Sequence, residues 1–215
     1  MIQLVVFDLD GTLVDSSQDL AAATNALPEA STVPARDRRP DRPTPADRCP
    51  RPAGVDRRAI GHLDPAFVYL MEEIKSMLRM AFQTENALTF PVSAPGSAGM
   101  EMCFVNLVEP GDKIIVCRNG VFGGRMLENV KRTRGVPVIV DDAWGAPVDP
   151  QKVRDAFNAN PDAKILAFVH AETSTGAQSD AETLAKIAQE AGALTIMDCV
   201  TSLGGTPVYL DKWGI

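Results

Sequence analysis

From residue 64 onward, apolar positions recur every three or four residues, give way to short unbroken apolar runs, and the two patterns then alternate to the end of the chain. Asp64-Pro65 supplies an N-cap and a first helical position, and Phe67, Leu70, Met71, Ile74, Leu78 and Phe82 follow at helical spacing. Further helices are predicted over 97–108, 122–134, 150–158 and 181–191, the last stopped by Gly192. Strands are predicted over 113–117, 137–140, 165–169 and 194–197, and Glu109-Pro110-Gly111-Asp112 reads as a turn. Short apolar strands between amphipathic helices predict an α/β fold, a mainly parallel sheet covered on both faces. Ligands in such sheets sit beyond the carboxyl ends of the strands, so the polar residues there are the candidates for chemistry.

Upstream the pattern changes twice. Residues 2–9 have the pattern of a buried strand broken only by Gln3 and Asp8; residues 10–12 read as a loop, and 15–27 as a helix ended by Pro28. Residues 31–58 hold six prolines and eight arginines against four aspartates, a net charge of +4, and no aromatic residue. Such a segment has too little to bury to offset its ordering entropy, and it is expected to be a disordered linker. A basic anion-binding arm is the functional alternative, but the arginines are interleaved with prolines and form no helical stripe. Arg, Pro, Ala and Asp in this mixture also match GC-rich DNA read out of frame. The chain therefore divides into a strand-loop-helix fragment (1–30), a linker (31–58) and an α/β segment (59–215).

Composition narrows the classes. A hydrophobic content of 45% and a charged content of 23% are ordinary for a globular protein, and a net charge of −7 argues against nucleic acid as a partner. No apolar run approaches membrane-spanning length, and no positive region precedes the first apolar stretch, so neither a membrane span nor a secretory signal is expected. Cys49, Cys103, Cys117 and Cys199 form no C-x-x-C pair, which suits a reducing cytoplasm and gives no zinc signature. His62 and His170 are too few and too far apart to argue a metal site.

Asp8 and Asp10, two residues apart at the end of an apolar strand, point the same way and could share a Mg²⁺ ion. The run D-L-D-G-T-L-V-D-S resembles the first motif of haloacid-dehalogenase-type phosphatases of the phosphoglycolate phosphatase kind. That resemblance would make Asp8 the nucleophile and Asp10 the general acid/base of a Mg²⁺-dependent phosphatase. It covers about the first 27 residues, and the Lys and second acidic pair that such enzymes need are not recognisable; Asp141-Asp142 fits the latter only superficially.

Four segments of the α/β region stand at or beyond predicted strand ends or helix starts. Ser93-Ala94-Pro95-Gly96-Ser97-Ala98-Gly99 is a small-residue loop leading into an apolar helix, where backbone N–H groups can approach a phosphate. Taken alone it reads equally as a turn. Asn119-Gly120-Val121-Phe122-Gly123 follows a strand, and Phe122 taken alone could be a core residue. His170-Ala171-Glu172-Thr173-Ser174-Thr175-Gly176 closes another strand, and Asp198 opens D-C-V-T-S-L-G-G-T-P after the last.

In this order and spacing the four segments resemble the class V aminotransferases dependent on pyridoxal 5′-phosphate, of the alanine–glyoxylate and serine–glyoxylate type. The resemblance covers residues 59–215 and implies part of a fold type I large domain. It implies that Pro95, Gly96 and Ser97 grip the cofactor phosphate, with Glu101 matching the helix acid, and that Phe122 stacks on the ring. It further implies that Thr173 bonds the phenolic oxygen, that Glu172 and Ser174 shape the pocket, and that Asp198 is the partner of the pyridinium nitrogen. Small amino acids and 2-oxo acids are the implied substrates and a homodimer the implied assembly. The family's cofactor lysine lies in an S-G-x-Q-K segment beyond Ile215, and Lys212 matches a surface position. The chain is therefore expected to be inactive alone and to bind the cofactor weakly at most; a non-catalytic fused product is the remaining alternative.

Overall fold

A computed structural model of the chain describes residues 61–215, so the fragment and linker predicted upstream lie outside the described residues. Helix α1 (Pro65–Phe82) starts as predicted, with the Asp64 side chain accepting from the Ala66 N–H at 2.8 Å and proline in the first turn. There follow α2 (Gly96–Leu107), β1 (Lys113–Arg118), α3 (Val121–Arg132), β2 (Val136–Asp141) and α4 (Pro150–Ala159). The chain continues through β3 (Ala163–Val169), a small hairpin of β4 (Ala171–Glu172) and β5 (Ala177–Gln178), α5 (Ala181–Glu190), β6 (Leu194–Asp198) and the short α6 (Leu210–Trp213).

The four long strands form one sheet in the order β2-β1-β3-β6, every pair parallel. Alternate residues of each strand face opposite sides, as strand geometry requires. Ile114 and Val116 of β1, Ile165, Ala167 and Val169 of β3 and Ile196 of β6 join a core with Met100, Cys103 and Phe104 of α2 and Met126 and Val130 of α3. Ile115, Cys117, Leu166, Phe168 and Met197 point the other way and pack with Leu78, Phe82, Val153, Phe157, Leu184 and Ile187 of α1, α4 and α5. Both faces of the sheet are therefore covered, which explains why its central strands read as unbroken apolar runs.

From β1 the chain leaves toward the α2/α3 face and reaches β2 on one side; from β3 it leaves toward the opposite face, through α5, and reaches β6 on the other side. The neighbouring carboxyl ends of β1 and β3 therefore part company. This is the switch point at which open α/β sheets form their crevice.

The predicted element types hold over the described residues, and three additions emerge. The ladder extends one residue past the predicted ends of β1, β2 and β6, to Arg118, Asp141 and Asp198. The β4–β5 hairpin and α6 were not legible, because strands of two residues and a helix of four are shorter than any hydrophobic period.

Candidate functional site

Three helices begin with their own caps. Asp64 caps α1, Asp149 caps α4 through the Gln151 N–H at 2.8 Å, and Asp180 caps α5 through the Thr183 N–H at 3.1 Å. The two helices of the opposite face differ, since Pro95 before α2 and Gly120 before α3 offer no capping side chain. Both begin in segments that the sequence singled out.

The start of α3 is filled from a distance. The carboxylate of Glu172, fully buried, accepts from the Phe122 N–H (Oε2, 3.1 Å) and the Gly123 N–H (Oε2, 3.2 Å). It also accepts from the N–H and hydroxyl of Ser174 at 3.2 and 2.7 Å, and Ser174 Oγ in turn accepts from the Val121 N–H at 3.0 Å. The loop after β1 and the segment after β3 are thereby locked together at the switch point. No side chain caps α2, whose first N–H groups, at Gly96 and Ser97, are those that an α-helix leaves without internal partners.

The remaining predicted residues link to this centre. Ser97 Oγ accepts a short hydrogen bond from Arg125 Nη1, and the Arg125 guanidinium lies 4.9 Å from the centroid of the Phe122 ring. Thr173 and Thr201 share a short hydroxyl–hydroxyl hydrogen bond. Asp198 pairs in register with Val169, accepts from the His170 N–H through its carbonyl at 2.8 Å, and accepts from the Val200 N–H through Oδ1 at 3.0 Å. Burial first, and then the Asp198 carboxylate, pushes the Cys103 thiol of α2 up to about 12. Ser97 is thus linked to Phe122 through Arg125, Phe122 to the segment of Thr173 through Glu172, and Asp198 stands at the carboxyl end of β6 beside β3. Glu101 is exposed on α2 and touches none of them among the contacts described.

His170 is buried, with Nε2 3.2 Å from Gln178 Nε2 and its ring edge-on to Trp213 at 5.5 Å. Burial holds its pKa below the usual histidine value, against a smaller upward pull from Asp180. These contacts tie the turn after β3 to β5 and to α6.

Arg125 and Thr201 escaped the sequence reading. Arg125 stands three residues after Phe122 on one helix, the spacing that brings side chains together, so the signal was present. Thr201 lies within D-C-V-T-S but meets Thr173 only through the fold. The acidic pair Asp141-Asp142 is engaged elsewhere: Asp141 by Arg118 at 2.6 and 2.7 Å, Asp142 by Lys152 at 2.6 Å. No group of three or more metal-ligating side chains occurs among the described residues, and Asp8 and Asp10 lie outside them. Lys212 is exposed on α6, against the Tyr209 ring. No described helix is long and apolar enough to cross a membrane.

A parallel α/β sheet with an uncapped helix start and an aromatic ring beside its switch point is a class of fold that holds ligands at the carboxyl ends of its strands, and sequence similarity assigns the chain to one family within it. The profile of the class-V aminotransferases matches residues 52–215, and the chain belongs to that family. It is 36% identical over 176 residues to the alanine–glyoxylate aminotransferase of Oryctolagus cuniculus, covering 80% of this chain and 44% of that protein. The crystal structure of ureidoglycine–glyoxylate aminotransferase from Bacillus subtilis superposes with a TM-score of 0.70 at 33% identity, over 73% of this chain and 40% of that one. That of alanine–glyoxylate aminotransferase from a Nostoc species gives 0.71 at 34% identity, over 99% and 47% respectively. The chain thus spans less than half the length of these relatives.

The family's cofactor is pyridoxal 5′-phosphate. The donors present suit it. The uncapped start of α2 offers N–H groups to an anion, and a planar cation already lies against the Phe122 ring. Asp198, only 6% exposed, offers a carboxylate to a protonated ring nitrogen.

Proposed function

We propose that residues 61–215 are the cofactor-holding part of an aminotransferase that moves an amino group between a small amino acid, alanine or serine, and glyoxylate. The observation that favours this reading is that the start of α3, which carries Phe122, is capped by Glu172 next to Thr173 at the switch point between β1 and β3. The uncapped start of α2 is held to Phe122 through Ser97 and Arg125, and Asp198 ends the adjacent strand β6. Glyoxylate is common to the names of the relatives, whereas the amino donor is alanine in two and ureidoglycine in the third. The acceptor is accordingly the better supported half, and the homodimer is carried over from the family resemblance. The buried free thiols of Cys103, Cys117 and Cys199 suit a reducing compartment such as the cytoplasm.

In this reading the N–H groups of Gly96 and Ser97, with the α2 dipole behind them, bind the phosphate, and Pro95 sets the entry of the chain. Phe122 presents its face to the ring and excludes water from it. The Thr173 hydroxyl donates to the phenolic oxygen. Asp198, buried and negatively charged, holds a proton on the pyridine nitrogen. When bound, pyridoxal 5′-phosphate supplies an electron sink conjugated to the substrate's α-carbon.

An absorbance titration of the chain with pyridoxal 5′-phosphate tests the assignment. Saturable binding should weaken by about tenfold or more in Asp198→Ala, the scale of losing a charged hydrogen-bond partner in a buried site. Binding that ignores both Asp198→Ala and Phe122→Ala would sink it.

A further inference from the structure

The geometry points to Glu172 as a positioning residue: it caps α3 from across the switch point, fixes Phe122 in place, and leaves α2 as the single open helix start at the site. This rests on the proposed reading of Phe122 as the residue that faces the cofactor ring.

Glu172 is fully buried, and a buried carboxylate is costly unless its oxygens are filled. Its oxygens accept from four donor groups: two backbone N–H groups of α3, and the N–H and hydroxyl of Ser174. An ionised carboxylate satisfies every one of them, whereas a carboxamide would turn an N–H₂ group toward an N–H donor. The Ser174 hydroxyl takes up the Val121 N–H, so the first three N–H groups of α3 all have partners supplied from the segment after β3.

Gly120 makes the arrangement possible. Its φ of 178° is open to any residue, so backbone conformation does not demand glycine there. Space does, because a Cβ would lie 2.3 Å from Glu172 Cγ, 2.5 Å from Cδ and 2.6 Å from Ser174 Oγ. The missing side chain is the gap through which the carboxylate reaches the helix. An N-cap that belongs to another segment ties Phe122, second residue of α3, to β3 as well as to its own strand. It also divides labour between two helix starts at one edge, α3 closed by protein and α2 left to an external anion.

The test uses the whole 215-residue chain as wild type, Glu172→Gln and Ser174→Ala, with two readouts. The first is amide hydrogen exchange without cofactor. Peptides covering residues 121–123 should exchange about tenfold or more faster in Glu172→Gln and by a smaller factor in Ser174→Ala, with α5 unchanged. The second is the dissociation constant for pyridoxal 5′-phosphate, which should rise by a comparable factor as the competent loop becomes a smaller fraction of the population. Unchanged exchange at 121–123 in both variants overturns the cap; faster exchange with unchanged affinity overturns the positioning role. Should Glu172→Gln fail to fold, Ser174→Ala decides both points by the same signs. Should the wild type bind no pyridoxal 5′-phosphate, the proposed function fails, while the exchange readout still decides whether Glu172 holds Phe122.

Discussion

Two glycines four residues apart, Gly120 and Gly124, should respond to alanine in opposite directions. In Gly120→Ala the new methyl group would stand 2.3 Å from Glu172 Cγ. Glu172 cannot swing aside cheaply, because it is fully buried and accepts from four donor groups. Either the core around it is overpacked, at about 1–3 kcal/mol, or the carboxylate withdraws and forfeits charge-assisted bonds of about 1.5–3 kcal/mol each. A destabilisation of about 2–4 kcal/mol follows, which at a urea m-value of about 2 kcal/mol/M lowers the midpoint by about 1–2 M. Gly124 lies inside α3 with nothing within 4 Å of the place an added methyl group would take, so alanine there only removes backbone entropy from the unfolded chain. Gly124→Ala should stabilise by about 0.5–1 kcal/mol and raise the midpoint by about 0.3–0.5 M. Urea denaturation followed by far-UV circular dichroism reads both. A neutral Gly120→Ala, or a midpoint shift in the same direction for both variants, would refute the steric reasoning.

Other outcomes follow from the same structure. Phe168, fully buried in the sheet, should cost about 3–5 kcal/mol on truncation to alanine, read by the same denaturation. Burial lowers the His170 pKa in the folded chain, so the unfolded chain binds more protons as pH falls below 6.5. Its contribution to stability is therefore present above 6.5 and lost on acidification, and His170→Gln should flatten that part of the stability–pH curve. Cys103, Cys117 and Cys199 are buried free thiols whose pKa values are raised by desolvation, so a thiol reagent at neutral pH should label their peptides only after denaturant is added. Arg125→Ala should leave the α3 cap intact but weaken pyridoxal 5′-phosphate binding several-fold, through loss of its contacts with Ser97 and the Phe122 ring, in an absorbance titration.

The sheet and its helices were legible because burial on both faces writes continuous apolar strands, and because Asp64-Pro65 and Asp149-Pro150 mark helix starts by a local rule. The site segments were legible as motifs through their order and spacing, since each taken alone also reads as a turn or a core residue. What the sequence hid is what depends on two distant segments meeting. Nothing near residue 120 announces that its cap lies at 172, and nothing near 173 announces Thr201. Gly120 looks like any turn glycine until the Glu172 side chain is seen in the space that its Cβ would occupy.

A crystal structure of the chain with pyridoxal 5′-phosphate tests the central claim most directly. The phosphate should sit at the N–H groups of Gly96 and Ser97, the ring against Phe122 and the pyridine nitrogen at the Asp198 carboxylate, with Glu172 still seated on α3. Phosphate at the start of α3, or a ring bound away from Asp198 and Phe122, would contradict it.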